Sequence, residues 1–175
     1  MDAEFFYQRV RTIADWPEPG VQFRDITPLL RDGAAFGTLI DAFAERYADA
    51  HIDAIAGIEA RGFIIGAALA YRLGCGFIPV RKAGKLPFET MSEAYTLEYG
   101  AASVEVHTDA ATPGEHVLVV DDLMATGGTL LATARLMQRL GARIVEAAVV
   151  IDLPALGGGQ RLTAAGVSHF AVLTY

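Results

Sequence analysis

The sequence predicts an α/β fold, a mainly parallel five-stranded sheet flanked by helices. Three observations predict it. Short β-branched runs alternate along the chain with stretches of helical spacing. Runs such as Val117–Val120 are apolar at every position, the mark of strands buried on both faces. That same run passes two acids and a Thr/Gly/Gly/Thr loop straight into a helical pattern at Leu130, Ala134, Met137 and Leu140.

Taken in order, residues Asp2–Ala14 read as a first helix, with Phe5, Phe6, Val10 and Ile13 apolar beside Arg9. Trp16-Pro17-Glu18-Pro19-Gly20 ends it, since proline fixes the backbone and glycine permits a turn. Trp16 is expected to anchor that helix. Helical spacing returns over Ala34–Tyr47 through Phe36, Leu39, Ile40 and Phe43. Asp53–Ile58 is then a strand, Phe63–Leu73 a helix and Gly76–Val80 a strand. A long polar excursion from Lys82 to Gly114 follows; within it Ala94–Glu98 and Ala102–His107 read as a hairpin turning at Tyr99-Gly100-Ala101. After the Val117–Val120 strand and its helix come the strand Ile144–Ile151, a helical turn near Leu156–Thr163 and a last strand Ser168–Leu173. Gly157-Gly158-Gly159 reads as a turn, because no suitable helical pattern follows it. Cys75 reads as packing at a helix-to-strand corner.

The length of 175 residues suits one domain, residues 1–175, with an N-terminal segment over 1–33 and the excursion centred on 82–107. Hydrophobic residues make up 53% of the chain, which indicates a packed core rather than disorder. No apolar stretch reaches the roughly 18 residues of a membrane span. The acidic start Met1-Asp2-Ala3-Glu4 and the single cysteine point to a cytoplasmic setting. A net charge of −7 argues against nucleic-acid binding but leaves room for a small phosphorylated ligand. His51, His107, His116 and His169 stand far apart with no metal-ligand spacing.

In a parallel sheet the strands end on one edge, where ligands bind. Glu59-Ala60-Arg61, Arg81-Lys82, Asp121–Thr129 and Asp152-Leu153-Pro154 each follow a strand, so all four are expected to line one cleft. The loop before the Leu130 helix is an anion cradle: unpaired N–H groups and the helix dipole favour phosphate, and glycine lets the backbone approach. Carboxylates repel phosphate, so Asp121-Asp122 beside the cradle make sense for a ligand with hydroxyls next to its phosphate, as in a ribose 5-phosphate. Arg81, Lys82 and Lys85 could neutralise a leaving group of several negative charges.

The run Val117–Thr129 resembles the 5-phosphoribosyl-1-pyrophosphate (PRPP) motif of the type I phosphoribosyltransferases at all its positions. Four further segments narrow the resemblance: Pro19–Pro28, Glu59–Phe63, Val80–Pro87 and Leu97–Gly100 are similar, in order and spacing, to the adenine phosphoribosyltransferase family. The resemblance implies the type I phosphoribosyltransferase fold with an N-terminal base-binding segment and a flexible β-hairpin hood. It implies the reaction adenine + PRPP → AMP + pyrophosphate, part of purine salvage, with Mg²⁺ held mainly by PRPP and water, and a homodimer.

It also implies roles. Ala125, Thr126, Gly127, Gly128 and Thr129 would hold the 5′-phosphate, and Asp121 and Asp122 the ribose hydroxyls. Glu59, Ala60, Arg61, Arg81, Lys82 and Lys85 would form the pyrophosphate site, with Arg61 also beside the base. Val21, Gln22, Phe23 and Arg24 would form the adenine pocket, Phe23 stacking on the purine. Glu98 would be the general acid/base toward purine N7, and Tyr99 would help close the hood. A non-proline cis peptide is implied in the Glu59-Ala60-Arg61 turn. Phe88 departs from the pattern, where a smaller or polar residue is expected. Two other readings stay open: transfer to another base, and a non-catalytic sensor of PRPP or a purine.

Overall fold

The computed structural model describes residues 3–96 and 101–175. Its centre is a sheet of seven strands: β3 (Ala54–Ile58), β4 (Gly76–Lys82), β5 (Thr90–Thr96), β6 (Ala101–His107), β7 (His116–Met124), β8 (Arg143–Asp152) and β9 (His169–Thr174). Their order is β5-β6-β4-β3-β7-β8-β9. The five strands β4-β3-β7-β8-β9 are parallel, and these are the five that the apolar runs predict. The β5–β6 hairpin extends the sheet antiparallel, joined to β4 at Arg81↔Glu105 and Lys82↔Val104.

Alternate residues of each central strand feed opposite faces. Ala54, Ala56, Val117 and Val119 pack with Leu130, Ala134 and Met137 of α5 (Gly128–Arg139). Ile55, Leu118 and Val120 pack with Leu39 and Phe43 of α3 (Gly33–Arg46) and Ile65 and Leu69 of α4 (Arg61–Leu73). Each of these strand residues is at most 7% exposed. Burial on both faces therefore follows from the unbroken apolar runs. No described helix is long and apolar enough to cross a membrane.

The N-terminal helix is much shorter than its spacing predicts. Helix α1 is Ala3–Tyr7, and Arg11–Ala14 forms a strand, β1, antiparallel to β2 (Gln22–Asp25). Only Phe6 of the expected apolar face is buried, whereas every residue of β1 is exposed. A continued helix had no core to meet. Arg11 instead pairs with Asp25 at 2.6 Å, and the β-branched Thr12-Ile13 suits a strand. Trp16 does not anchor the first helix; it packs edge-on to Phe23 at 4.5 Å within this hairpin. A further short helix, α2 (Thr27–Arg31), begins with proline near its start.

Two other elements differ from the sequence pattern. Strand β7 runs through Asp121 and Asp122 to Met124, because β8 continues alongside and pairs Asp121 with Val149 and Leu123 with Ile151. After a 3-10 turn at Pro154–Leu156, a seven-residue helix, α6 (Gly158–Ala164), starts inside the glycine run read as a turn. Strand β5 begins at Thr90, earlier than Ala94. Residues Leu97 to Gly100, with Glu98, Tyr99 and most of the expected turn, lie outside the described residues. Glu93 of β5 is paired with Arg139 of α5 at 3.0 Å, which ties the hairpin to the body.

Candidate active site

Three of the four strand-end groups meet around one cavity of about 390 Å³. Its floor is Ile58, Val80 and Val104, its cations are Arg61, Lys82 and Lys85, and its acids are Glu59, Asp121 and Asp122. The fourth group does not join. Asp152 and Pro154 line a separate cavity of about 510 Å³ with α6, and Leu153 donates its N–H to Met124 O at 3.0 Å.

A second cavity of about 180 Å³ is enclosed by Leu123–Leu130 and shares Asp121, Leu123 and Thr129 with the first. Here the chain leaves β7 and enters α5 through Gly127, whose φ is +73°. The first helical hydrogen bond in this turn runs from Leu131 N to Gly127 O at 3.0 Å. The N–H groups of the opening turn thus lack partners inside the helix and, with the dipole, suit a phosphate. The loop is backed by α6: a Cβ on Gly158 would lie 2.4 Å from Ala125 O and 3.0 Å from Gly127 N. Backbone packs directly on backbone, which explains why a helix begins with glycines here.

The charges are mutually paired. Arg61, at the start of α4, donates to buried Asp122. Glu59 follows β3 directly and is joined to Ala60 by a cis peptide, as the resemblance implied. Its carboxylate accepts from Lys85 Nζ at 2.7 Å, from Arg81 at 3.2 and 3.3 Å and from Lys82 N at 3.2 Å. Arg81 also donates to Lys85 O, and Gly84 N donates to Glu105, so the basic turn is closed from both sides. Lys82 has no carboxylate partner among the described residues.

These contacts set the protonation of the acids. The Lys85 ammonium, then Arg81 and the Lys82 N–H, hold Glu59 down to about 2. Burial first, then the adjacent Asp122 charge, pushes Asp121 well above the usual carboxylate range. Because Glu59 in the folded protein lies below its ordinary value near 4.5, its contribution to stability is complete above that value. It is lost as pH falls toward 2. The stability difference between the protein and its Glu59→Gln variant is therefore expected to shrink over that interval, read as denaturation midpoints. A difference that stays constant with pH would sink this account.

The N-terminal residues stand apart from the main cavity lining. Val21 and Phe23 are partly buried and Gln22 is exposed. The Phe23 ring centre lies 6.0 Å from the Arg61 guanidinium, which places it next to the site. Arg24 turns elsewhere: its guanidinium lies 4.1 Å over Tyr175 and donates to Thr12. Tyr95, which the sequence did not single out, lines the cavity from the hairpin. Its position depends on which face of β5 meets the cleft, and no local pattern announces that. Phe88 is 58% exposed and edge-on to His107 at 5.9 Å.

Residues 29–162 match the family model of the phosphoribosyl transferase domain. The chain is 61% identical over 166 residues to an adenine phosphoribosyltransferase of Chromohalobacter salexigens, covering 95% of this chain and 92% of that protein. It is similar to the crystal structure of adenine phosphoribosyltransferase from Rhodothermus marinus, with TM-score 0.93, 47% identity, and 99% and 98% of the two chains covered. It is also similar to the Saccharomyces cerevisiae enzyme complexed with an imino-altritol bisphosphate and adenine, with TM-score 0.92, 38% identity and 98% of each chain covered.

Proposed function

The chain belongs to the phosphoribosyl transferase family, and from that membership we propose that it is an adenine phosphoribosyltransferase, a pentosyltransferase of purine salvage. It moves the 5-phosphoribosyl group of PRPP to adenine and releases AMP and pyrophosphate. The observation that carries this reading is the meeting, around two adjoining cavities that share Asp121, Leu123 and Thr129, of the Ala125–Thr129 loop, the acids Asp121 and Asp122, and the cations Arg61, Lys82 and Lys85.

The 5′-phosphate sits on the backbone of Ala125, Thr126, Gly127, Gly128 and Thr129, at the positive end of α5. Asp121 and Asp122 accept from the ribose hydroxyls. As the C1–pyrophosphate bond breaks, Arg61, Lys82 and Lys85 take up the charge that develops on the leaving group, with Arg81 behind them. Glu59 holds Arg81 and Lys85 in place until that charge arrives, and Ala60 lets the turn run close to it. The adenine N9 lone pair forms the new bond to C1. Val21, Gln22, Phe23 and Arg24 frame the base, Phe23 by stacking and the others through their backbone, since the Arg24 cation is engaged by Tyr175. Glu98 exchanges the proton at N7, and Tyr99 covers the site when the hood closes over it and excludes water.

The donor set fits Mg²⁺. Glu59 and Asp122 are already paired with cations, which leaves Asp121 as the carboxylate without an ion-pair partner among the described residues. PRPP and water would supply most of the oxygens. When bound, the ion neutralises part of the pyrophosphate charge.

A homodimer goes with this reading, supported by Ile64 and Tyr71, which lie 47% and 91% exposed two turns apart on α4. A cytoplasmic setting is supported by the acidic composition and the single cysteine.

The decisive experiment is pyrophosphate release from PRPP and Mg²⁺ with adenine, hypoxanthine, guanine, xanthine and uracil offered separately. Release with adenine alone is expected. A wrong base leaves buried polar groups unpaired, at about 1–3 kcal/mol each. Glu98→Gln is expected to slow turnover about 10²–10⁴-fold, the usual contribution of a general acid/base. Release with another base would overturn the pocket assignment. PRPP binding without release would favour a sensor.

A further inference from the structure

The fold brings together two histidines that sequence spacing keeps apart. His51 precedes β3 and His116 opens β7; between them stands Asp53. His51 Nε2 is 3.0 Å from Asp53 Oδ1, His116 Nδ1 is 3.5 Å from Asp53 Oδ2, and the imidazole centres are 5.2 Å apart. One ligand atom from each of the three residues lies within 4.8 Å of the others. We propose that His51, Asp53 and His116 bind a divalent transition metal of the Zn²⁺ or Ni²⁺ class, at the sheet edge opposite the active site.

The geometry supports this in two ways. Bonds of about 2.0–2.2 Å in a tetrahedral site put neighbouring ligand atoms roughly 3.3–3.5 Å apart, close to the two separations observed. The carboxylate is fixed in advance: Asp53 Oδ2 accepts from His116 N at 2.7 Å, Asp53 N donates to His116 O, and Asp53 O accepts from Gly76 N, both at 2.9 Å. Asp53 is thereby anchored where β3, β4 and β7 begin.

Two imidazoles and one carboxylate favour borderline ions over Mg²⁺ and Ca²⁺, which prefer all-oxygen shells. The His51 side chain is 74% exposed, so the ion has open access and water completes its shell. The site stands where the strands start, whereas substrates bind where they end. Its role is structural, tying the first residues of the two central strands.

The test is calorimetric titration of the protein with ZnCl₂ and with NiCl₂, without PRPP, in a Cys75→Ser background that removes the only thiol. One ion per chain is expected, undiminished by excess Mg²⁺, with a rise in melting temperature. Loss of a direct ligand in His51→Ala or His116→Ala is expected to weaken binding at least about tenfold, since even outer partners of a metal ligand contribute that much. His107→Ala and His169→Ala should bind like the parent. The His51 variant removes an exposed side chain, so it keeps the fold and isolates the site. No binding by the parent, or binding retained in both ligand variants, or binding abolished by Mg²⁺, would overturn the proposal.

Discussion

A Gly158→Ala variant is expected to lose about a hundredfold in kcat/KM for PRPP, the usual consequence of moving a binding group by about 1 Å. The added Cβ would stand 2.4 Å from Ala125 O, 2.7 Å from Met124 Cγ and 3.0 Å from Gly127 N. Two of these are backbone atoms of the phosphate loop, so relief comes only by displacing that loop. Overpacking of this kind also costs about 1–3 kcal/mol, or several degrees in melting temperature. Gly37→Ala is the control: nothing lies within 4 Å of its Cβ, and it sits inside α3, where alanine favours helix. Steady-state kinetics and thermal melts read both variants. An unchanged KM for PRPP in Gly158→Ala would mean that α6 does not position the loop.

Arg61→Met is expected to lower kcat about 10²–10³-fold, the range for removing one preorganised charge from a developing anion. It should also destabilise the fold. The Asp122 side chain is only 7% exposed, so its carboxylate would be left buried without its cation. Breaking a buried pair costs about 3–5 kcal/mol, and the 43% exposure of Arg61 puts this case at or below the lower end. Adding Asp122→Asn separates the two effects. The double variant should recover much of the stability, because the stranded charge is gone, and none of the activity. Recovery of neither would place the loss elsewhere in the α4 packing.

How much of this was legible beforehand depends on where the information resides. The five parallel strands were legible because burial on both faces forces apolar residues at consecutive positions, as in Val117–Val120. The phosphate loop and its acids were legible because the chemistry needs glycine, hydroxyl and carboxylate types in one short run. The strand Arg11–Ala14 was not, since all its residues are exposed and its conformation comes from pairing with Gln22–Asp25. A helical turn near Leu156–Thr163 was legible, but the start of α6 inside the glycine run was not, because glycine disfavours helix and only the close fit of Gly158 against the loop and of Gly159 against His169 makes it necessary. The apolar run ends at Val120 and so stopped the expected strand there, yet β8 supplies backbone partners and keeps Asp121-Asp122 in the strand.

The candidate site divides the same way. Which residue types stand at the strand ends is a property of the chain, and so is the order of cradle, acids and cations. Their pairing is not. That Glu59 engages Arg81 and Lys85, that Arg61 engages Asp122, and that Asp53 meets His116 are matters of distance between segments remote in sequence. Local pattern by itself determined the five parallel strands, the helices between them and the chemical kinds of the site. Only the tertiary structure decided which charges neutralise one another, because Coulomb and hydrogen-bond energies depend on separations that the packed sheet sets.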